Sequence, residues 1–167
     1  MRTLCTLRTS FAAGIVAILL AGLLAAAPPA SATPPPAAER LSPAQKYQRQ
    51  AFKVTNNQRE KRGLRTLKRN DCIQKWAVWN ANRMARTRTM DHQNLERVSR
   101  NCGRGVSENI AYGYRTGRSV VRDGWMKSTE GHRENILKRS HRVMGVAARK
   151  GADGAWYVAQ VFGGRRY

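Results

Sequence analysis

Histidine, cysteine and acidic side chains are all scarce in this chain. Three histidines and three cysteines occur in 167 residues, and 10 Asp and Glu stand against 31 Lys and Arg, for a formal charge of +21. No two cysteines lie at C-x-x-C spacing, so zinc fingers are excluded. G-x-S-x-G, H-E-x-x-H, P-loop and S-x-x-K strings are also missing, and the chemistries they announce are not signalled. The positive charge comes without arginine–glycine repeats or an aromatic ribonucleoprotein motif, and it is spread from Arg40 to Arg166 rather than blocked. It predicts attraction to anionic surroundings, such as an acidic cell-envelope polymer or lipid headgroups, and no specific nucleic-acid site.

One long apolar run exists, Phe11 to Ala27, preceded by Arg2 and Arg8 and followed by Ala30-Ser31-Ala32. Basic start, apolar middle and small-residue end are the parts of a secretory signal peptide, expected over residues 1–32. The run is short for a membrane span and is interrupted by Gly14 and Gly22. A proline-rich linker, 33–42, then leads into one domain, 43–167, expected to be secreted, monomeric and without a transmembrane segment after cleavage. Cys5 leaves with the signal peptide. In an oxidising compartment Cys72 and Cys102 then have only each other, and a disulfide between them would stabilise the fold by about 3–4 kcal/mol.

Within the domain the apolar spacing sets out the elements. Ser42-Pro43 starts a helix that runs to about Arg62, with Tyr47, Ala51 and Val54 inward and Gly63 as a left-handed stop. Asp71 caps a second helix to about Thr87, whose inner face carries Ile73, Trp76, Ala77, Asn80, Ala81 and Met84, while Trp79 points elsewhere. Met90 to Gly105 has no regular pattern. Val106 to Tyr114 reads as a strand, Ser119 to Lys127 as a helix, and GHRENILK as a short helix capped by Ser128 or Thr129. Two strands, Val143 to Arg149 and Ala155 to Phe162, flank a hairpin turn at Lys150 to Gly154. The last strand is apolar on both faces and belongs inside the sheet. The expected class is α+β, a three-layer α-β-α sandwich around a small antiparallel sheet.

Three polar positions stand out. Glu108 lies among apolar neighbours, where a carboxylate must gain a proton, a donor or a cation. His132 sits at a helix start four residues after Ser128. His92 follows Asp91 in the irregular segment, and His141, between basic residues, reads as exposed. Two histidines and a carboxylate could form a three-ligand zinc set, but their sequence spacing alone does not bring them together.

Read together, several strings resemble the bacterial branch of the CAP superfamily of cysteine-rich secretory, antigen 5 and pathogenesis-related proteins. They are Asn56-x-x-Arg59 with Gly63-Leu64-x-x-Leu67, Met90-Asp91-His92, Ser107-Glu108-Asn109-Ile110, Trp125-Met126-x-Ser128, and Gly131-His132-Arg133-x-Asn135-Ile136-Leu137. Gly145 and the closing Gln160-Val161-Phe162-Gly163 complete the set. The resemblance covers about Gln45 to Gly163 and implies the same α-β-α sandwich, with a cleft of two histidines and two glutamates that can bind a divalent cation, often zinc. Carried over, the cleft residues are His92, Glu108 and His132, with Ser128 where a second glutamate would stand and Ser107 in place of a glycine. His92 and His132 are the implied metal ligands. The resemblance also brings lipids and sterols into view as ligands. The expected role is a secreted binding module; the alternative is a metal-dependent hydrolase with Glu108 as its general base.

Overall fold

The computed structural model describes residues 40–164. The expected signal peptide and most of the linker lie outside the described residues. Helix α1, Pro43–Glu60, begins with a reciprocal cap, in which Ser42 accepts from the Gln45 amide and Gln45 reaches back to Ser42. Past its end, Gly63 takes the left-handed conformation at φ 64° that a side chain would resist. Two motif residues of α1 fasten the connection that follows. Asn56 pairs its amide with both backbone groups of Leu67. Arg59, 1% exposed, donates to the carbonyls of Arg65, Ile136 and Lys138.

The short strand β1, Lys68–Arg69, precedes α2, Asp71–Thr87. Asn70 rather than Asp71 caps α2, its side chain accepting from the Ile73 amide. The segment read as patternless contains α3, Leu95–Cys102, capped by Asn94. Then follow β2, Ser107–Tyr112, and a single helical turn α4, Gly117–Ser119, which widens into a π turn over Val120–Gly124 and tightens into a 3₁₀ turn over Trp125–Lys127. Helix α5, His132–Leu137, leads to β3, Val143–Lys150, and β4, Trp156–Gly163.

The strand order is β1-β3-β4-β2. The β3–β4 hairpin and the β2–β4 pair are antiparallel, but β1 runs parallel to β3, so the sheet is mixed. Strand β4 is interior, as its apolar run requires, and its side chains alternate between two cores. Val158 and Phe162 join Tyr47, Ala51, Val54, Trp125, Ile136 and Met144 under α1, the α4 segment and α5. Tyr157, Ala159 and Val161 join Ile73, Ala77, Ala81, Met84 and Val98 under α2 and α3. This is the expected three-layer sandwich. Cys72 and Cys102 form the disulfide that ties α2 to α3, with Cα atoms 5.7 Å apart.

At the free edge of β3, beyond β1, a side chain takes the place of a strand. The Gln74 amide accepts from Val146 N at 3.1 Å and donates to Val146 O at 2.9 Å. Gly145 allows this, because a Cβ there would lie 2.6 Å from Gln74 Cα.

Candidate functional site

Strand β2 is the other edge of the sheet, and its alternation divides the site between the two helical layers. Glu108 turns toward α2 and α3, and its side chain is fully shielded from solvent. Its carboxylate is saturated. Oε1 accepts from Asn80 Nδ2 at 2.8 Å and Gln93 Nε2 at 2.6 Å, while Oε2 accepts from Gln93 N at 3.2 Å and His92 Nδ1 at 2.9 Å. Four donors fill the four acceptor positions of a carboxylate, which answers the burial problem posed by its apolar neighbours.

His92 is the most accessible member, its side chain 53% exposed. The hydrogen bond to Glu108 raises its pKa above the usual 6.5, against the opposing effect of partial burial. A carboxylate only accepts, so the proton on Nδ1 is fixed and Nε2 is the edge left over.

Asn109, the next residue of β2, points into the other layer. It donates to the His132 carbonyl at 3.0 Å and to Gln160 Oε1 at 3.2 Å, and it accepts from Asn135 at 3.0 Å. Asn135 also donates to the Glu108 carbonyl at 3.3 Å. Gln160 continues the chain to Thr55 on α1. These amides, buried at Asn109 and Gln160 and half-buried at Asn135, lock the start of α5 to the sheet edge through the His132 carbonyl. Burial depresses the His132 pKa, and the charge of His92 lowers it further, while Glu130 and Glu134 pull it up. His92 is tied to the edge strand through the Glu108 carboxylate on one side, and His132 through its carbonyl to Asn109 on the other.

Ser128 was expected as a helix cap. Instead Gly131, in the left-handed conformation, occupies the cap position of α5 without a side-chain bond. The Ser128 hydroxyl accepts from Glu130 N at 3.0 Å and meets His132 Nδ1 at 2.8 Å. Its second lone pair can receive an Nδ1 proton, or its own proton can go to Nδ1. The first arrangement leaves a lone pair on His132 Nε2; the second leaves a proton there. His141 is a correction of a different kind: it was read as exposed but is fully buried, stacked on Phe162 at 4.9 Å and bonded to the Asn135 carbonyl.

The structure thus brings His92, Glu108, Ser128 and His132 to one edge of the sheet. Asn80, Gln93, Asn109, Asn135 and Gln160 complete the arrangement; the sequence named all but Gln93 as inward or motif residues, and none as part of the site. Asn80 on an apolar helix face and Gln160 inside an apolar strand were the available signals. Among the described residues no three His, Cys, Asp or Glu side chains converge to hold a metal ion.

A model of the Cysteine-rich secretory protein family, CAP, matches residues 52–162. The chain belongs to the CAP family. Among curated relatives this CAP protein is 33% identical to the uncharacterized protein YkwD of Bacillus subtilis over 108 residues, 60% of this chain and 41% of the relative. The match thus spans well under half of that longer protein. An extracellular protein containing an SCP domain from Bacillus anthracis superposes with a TM-score of 0.62 at 24% identity, covering 75% of this CAP chain and 45% of its own. An outer surface protein of Borrelia burgdorferi gives a TM-score of 0.61 at 22% identity, covering 69% of this chain and 90% of its own. These likenesses show a shared fold. Among the described residues no helix is long and apolar enough to cross a membrane.

Proposed function

We propose that this CAP protein is an exported binding module whose cleft takes a divalent cation on the Nε2 atoms of His92 and His132. The observation that carries the reading is the shielded Glu108 carboxylate bonded to His92 Nδ1. A carboxylate behind an imidazole fixes its tautomer and raises its basicity at the opposite nitrogen, which is the usual support for a metal-binding histidine. Ser128 supports His132 in the same way when it accepts the Nδ1 proton. Neither Nε2 has a protein partner among the described residues, and the buried Gln93 Oε1, next in sequence to His92, is an acceptor without one. The donor set therefore fits a cation. Two imidazoles fall short of the three protein ligands of an ordinary catalytic zinc, so the expected binding is weak and exchangeable. When bound, the cation supplies Lewis acidity and a point of positive charge for an anionic or carbonyl oxygen of a ligand.

Glu108 acts here as a positioning residue for His92. The hydrolytic alternative, with Glu108 as general base, lacks equal support, because that carboxylate has no exposed atom and no unused acceptor position. Export is supported by the signal-peptide pattern of residues 1–32 and by the extracellular and outer-surface descriptions of the structural neighbours. NaASP2, similar in fold at a TM-score of 0.55 and 12% identity, was determined with Zn2+, which supports the choice of zinc as first probe.

The test is calorimetric titration of zinc into protein purified without a histidine tag. His92→Ala and His132→Ala should each abolish measurable binding, and Glu108→Gln should weaken it by about 10–100-fold. Unchanged affinity in both histidine variants would remove the cation from the cleft.

A further inference from the structure

The outer face of α2 carries a feature that the cleft does not use. Lys75, Trp79, Asn82 and Arg86 follow one another at spacings of four, three and four, which puts them in one stripe about 16 Å long. Trp79 is 46% exposed, an unusual position for so large an apolar ring. It is braced from within the molecule. Trp76 stands edge-on to it at 6.0 Å, the Arg83 guanidinium lies 5.6 Å from its ring centre, and Arg97 lies 5.5 Å from that of Trp76. The indole thus has a fixed orientation and keeps a solvent-facing surface.

Trp79 also walls a hollow of about 630 Å³ with Asn82, Arg86, Arg149 and Lys150, and no acidic side chain lines it. Asp153, on the adjoining hairpin, turns its carboxylate to Tyr112, Tyr157 and Ala155 N. Lys75, Arg86, Arg97, Arg149 and Lys150 form no ion pair among the described residues. Lys150 lies over the Trp156 ring, and the other unneutralised cations stand around one rigid aromatic platform and one neutral amide.

We infer that this face binds an anionic polysaccharide, with a sugar ring stacked on Trp79, its hydroxyls on Asn82, and its acidic groups on Arg86 and the neighbouring cations. Single-stranded nucleic acid is matched less well, because it calls for successive stacking platforms, and Trp76 is half-buried and set edge-on. A bilayer is matched less well still. Among the described residues the other exposed large apolar side chains are Met90 and Tyr112, and the Tyr112 hydroxyl is held by Asp153. The inference locates the attraction that net charge only makes general, and it does not depend on the histidine cleft.

The experiment titrates oligogalacturonate at low salt in the presence of EDTA, so that the outcome is independent of cation binding at His92 and His132. Trp79→Ala, which leaves the charge unchanged, should weaken binding about tenfold, and Arg86→Glu at least as much. Lys53→Glu on α1, with the same charge change as Arg86→Glu, should stay within twofold. Circular dichroism checks that each variant is folded, which is expected for exposed positions. Poly(dT) and phosphatidylglycerol vesicles, run in parallel, should show no dependence on Trp79. Four results would each overturn the inference: no oligogalacturonate binding, an unaffected Trp79→Ala, equal losses in Lys53→Glu and Arg86→Glu, or a stronger Trp79 dependence for poly(dT) or vesicles.

Discussion

Acidification should destabilise this protein through a histidine outside the cleft. His141 is fully buried against Phe162, and its Nδ1 donates to the Asn135 carbonyl at 3.0 Å. Nε2 then holds the lone pair and accepts from the Ser107 hydroxyl at 3.3 Å. The neutral ring is satisfied, and a second proton is opposed first by burial and then by the charges of Lys138 and Arg59. The pKa is pushed down from 6.5 to about 4. A lowered folded value means that the unfolded chain takes up the proton first. The contribution is complete above pH 6.5 and is lost as pH falls toward 4. At ~1.4 kcal/mol per pH unit the loss is about 3 kcal/mol. His92, with a raised pKa, has the opposite sign: its contribution is present below 6.5 and is lost as pH rises through its higher value, so it acts above this window. His132, with a lowered pKa, adds to the acid loss in the same direction as His141.

The measurement is urea unfolding at steps from pH 7 to 4 for the natural protein and for His141→Phe. The variant cannot titrate at this position, and it leaves the Asn135 carbonyl unpaired, so it should start about 1–3 kcal/mol less stable at pH 7. Its stability should then fall less steeply, and the loss of about 3 kcal/mol confined to the natural protein should close or reverse the starting difference by pH 4. Parallel curves across the whole range would refute the reasoning, since the carboxylates and His132 are common to both proteins.

Three further outcomes are expected. Arg59→Met should cost at least about 3 kcal/mol in urea unfolding, because two carbonyls at the end of α5 and one in the connection after α1 lose their charged donor. Replacing Cys72 and Cys102 by serine should cost about 3–4 kcal/mol, read as a shift in the unfolding midpoint. Glu108→Gln should bring the His92 pKa down from its raised value, followed by NMR titration of the ring, because an amide cannot match the carboxylate as acceptor.

Where side chains alternate or recur strongly, the sequence was informative. The stripes of α1 and α2, the hairpin strands and the two-faced burial of β4 were all visible in the spacing of apolar residues. Helix α3 was hidden because its inward residues, Leu95, Val98 and Cys102, are few among charged neighbours. Strand β1 is two residues long and carries no pattern at all. Its parallel pairing with β3 depends on the loop that Asn56 and Arg59 hold in place. In the site, Glu108 announced itself by its apolar company. His92 and His132 could be joined only through the family resemblance, since nothing in their spacing brings two layers to one sheet edge. His141 was misjudged because its neighbours in sequence, Arg139, Ser140 and Arg142, are polar while its neighbours in space are not.

The edge of β3 has a meaning for how copies of this protein meet. With Gln74 zipped onto Val146, the position of that strand next beyond β1 has no backbone pair to offer a visitor. Crowded molecules of this chain cannot lengthen one another's sheets there, and a guest peptide seeking the same register must first evict the glutamine. Gln74→Leu would unlatch that door, turning a closed border into a seat for a foreign strand.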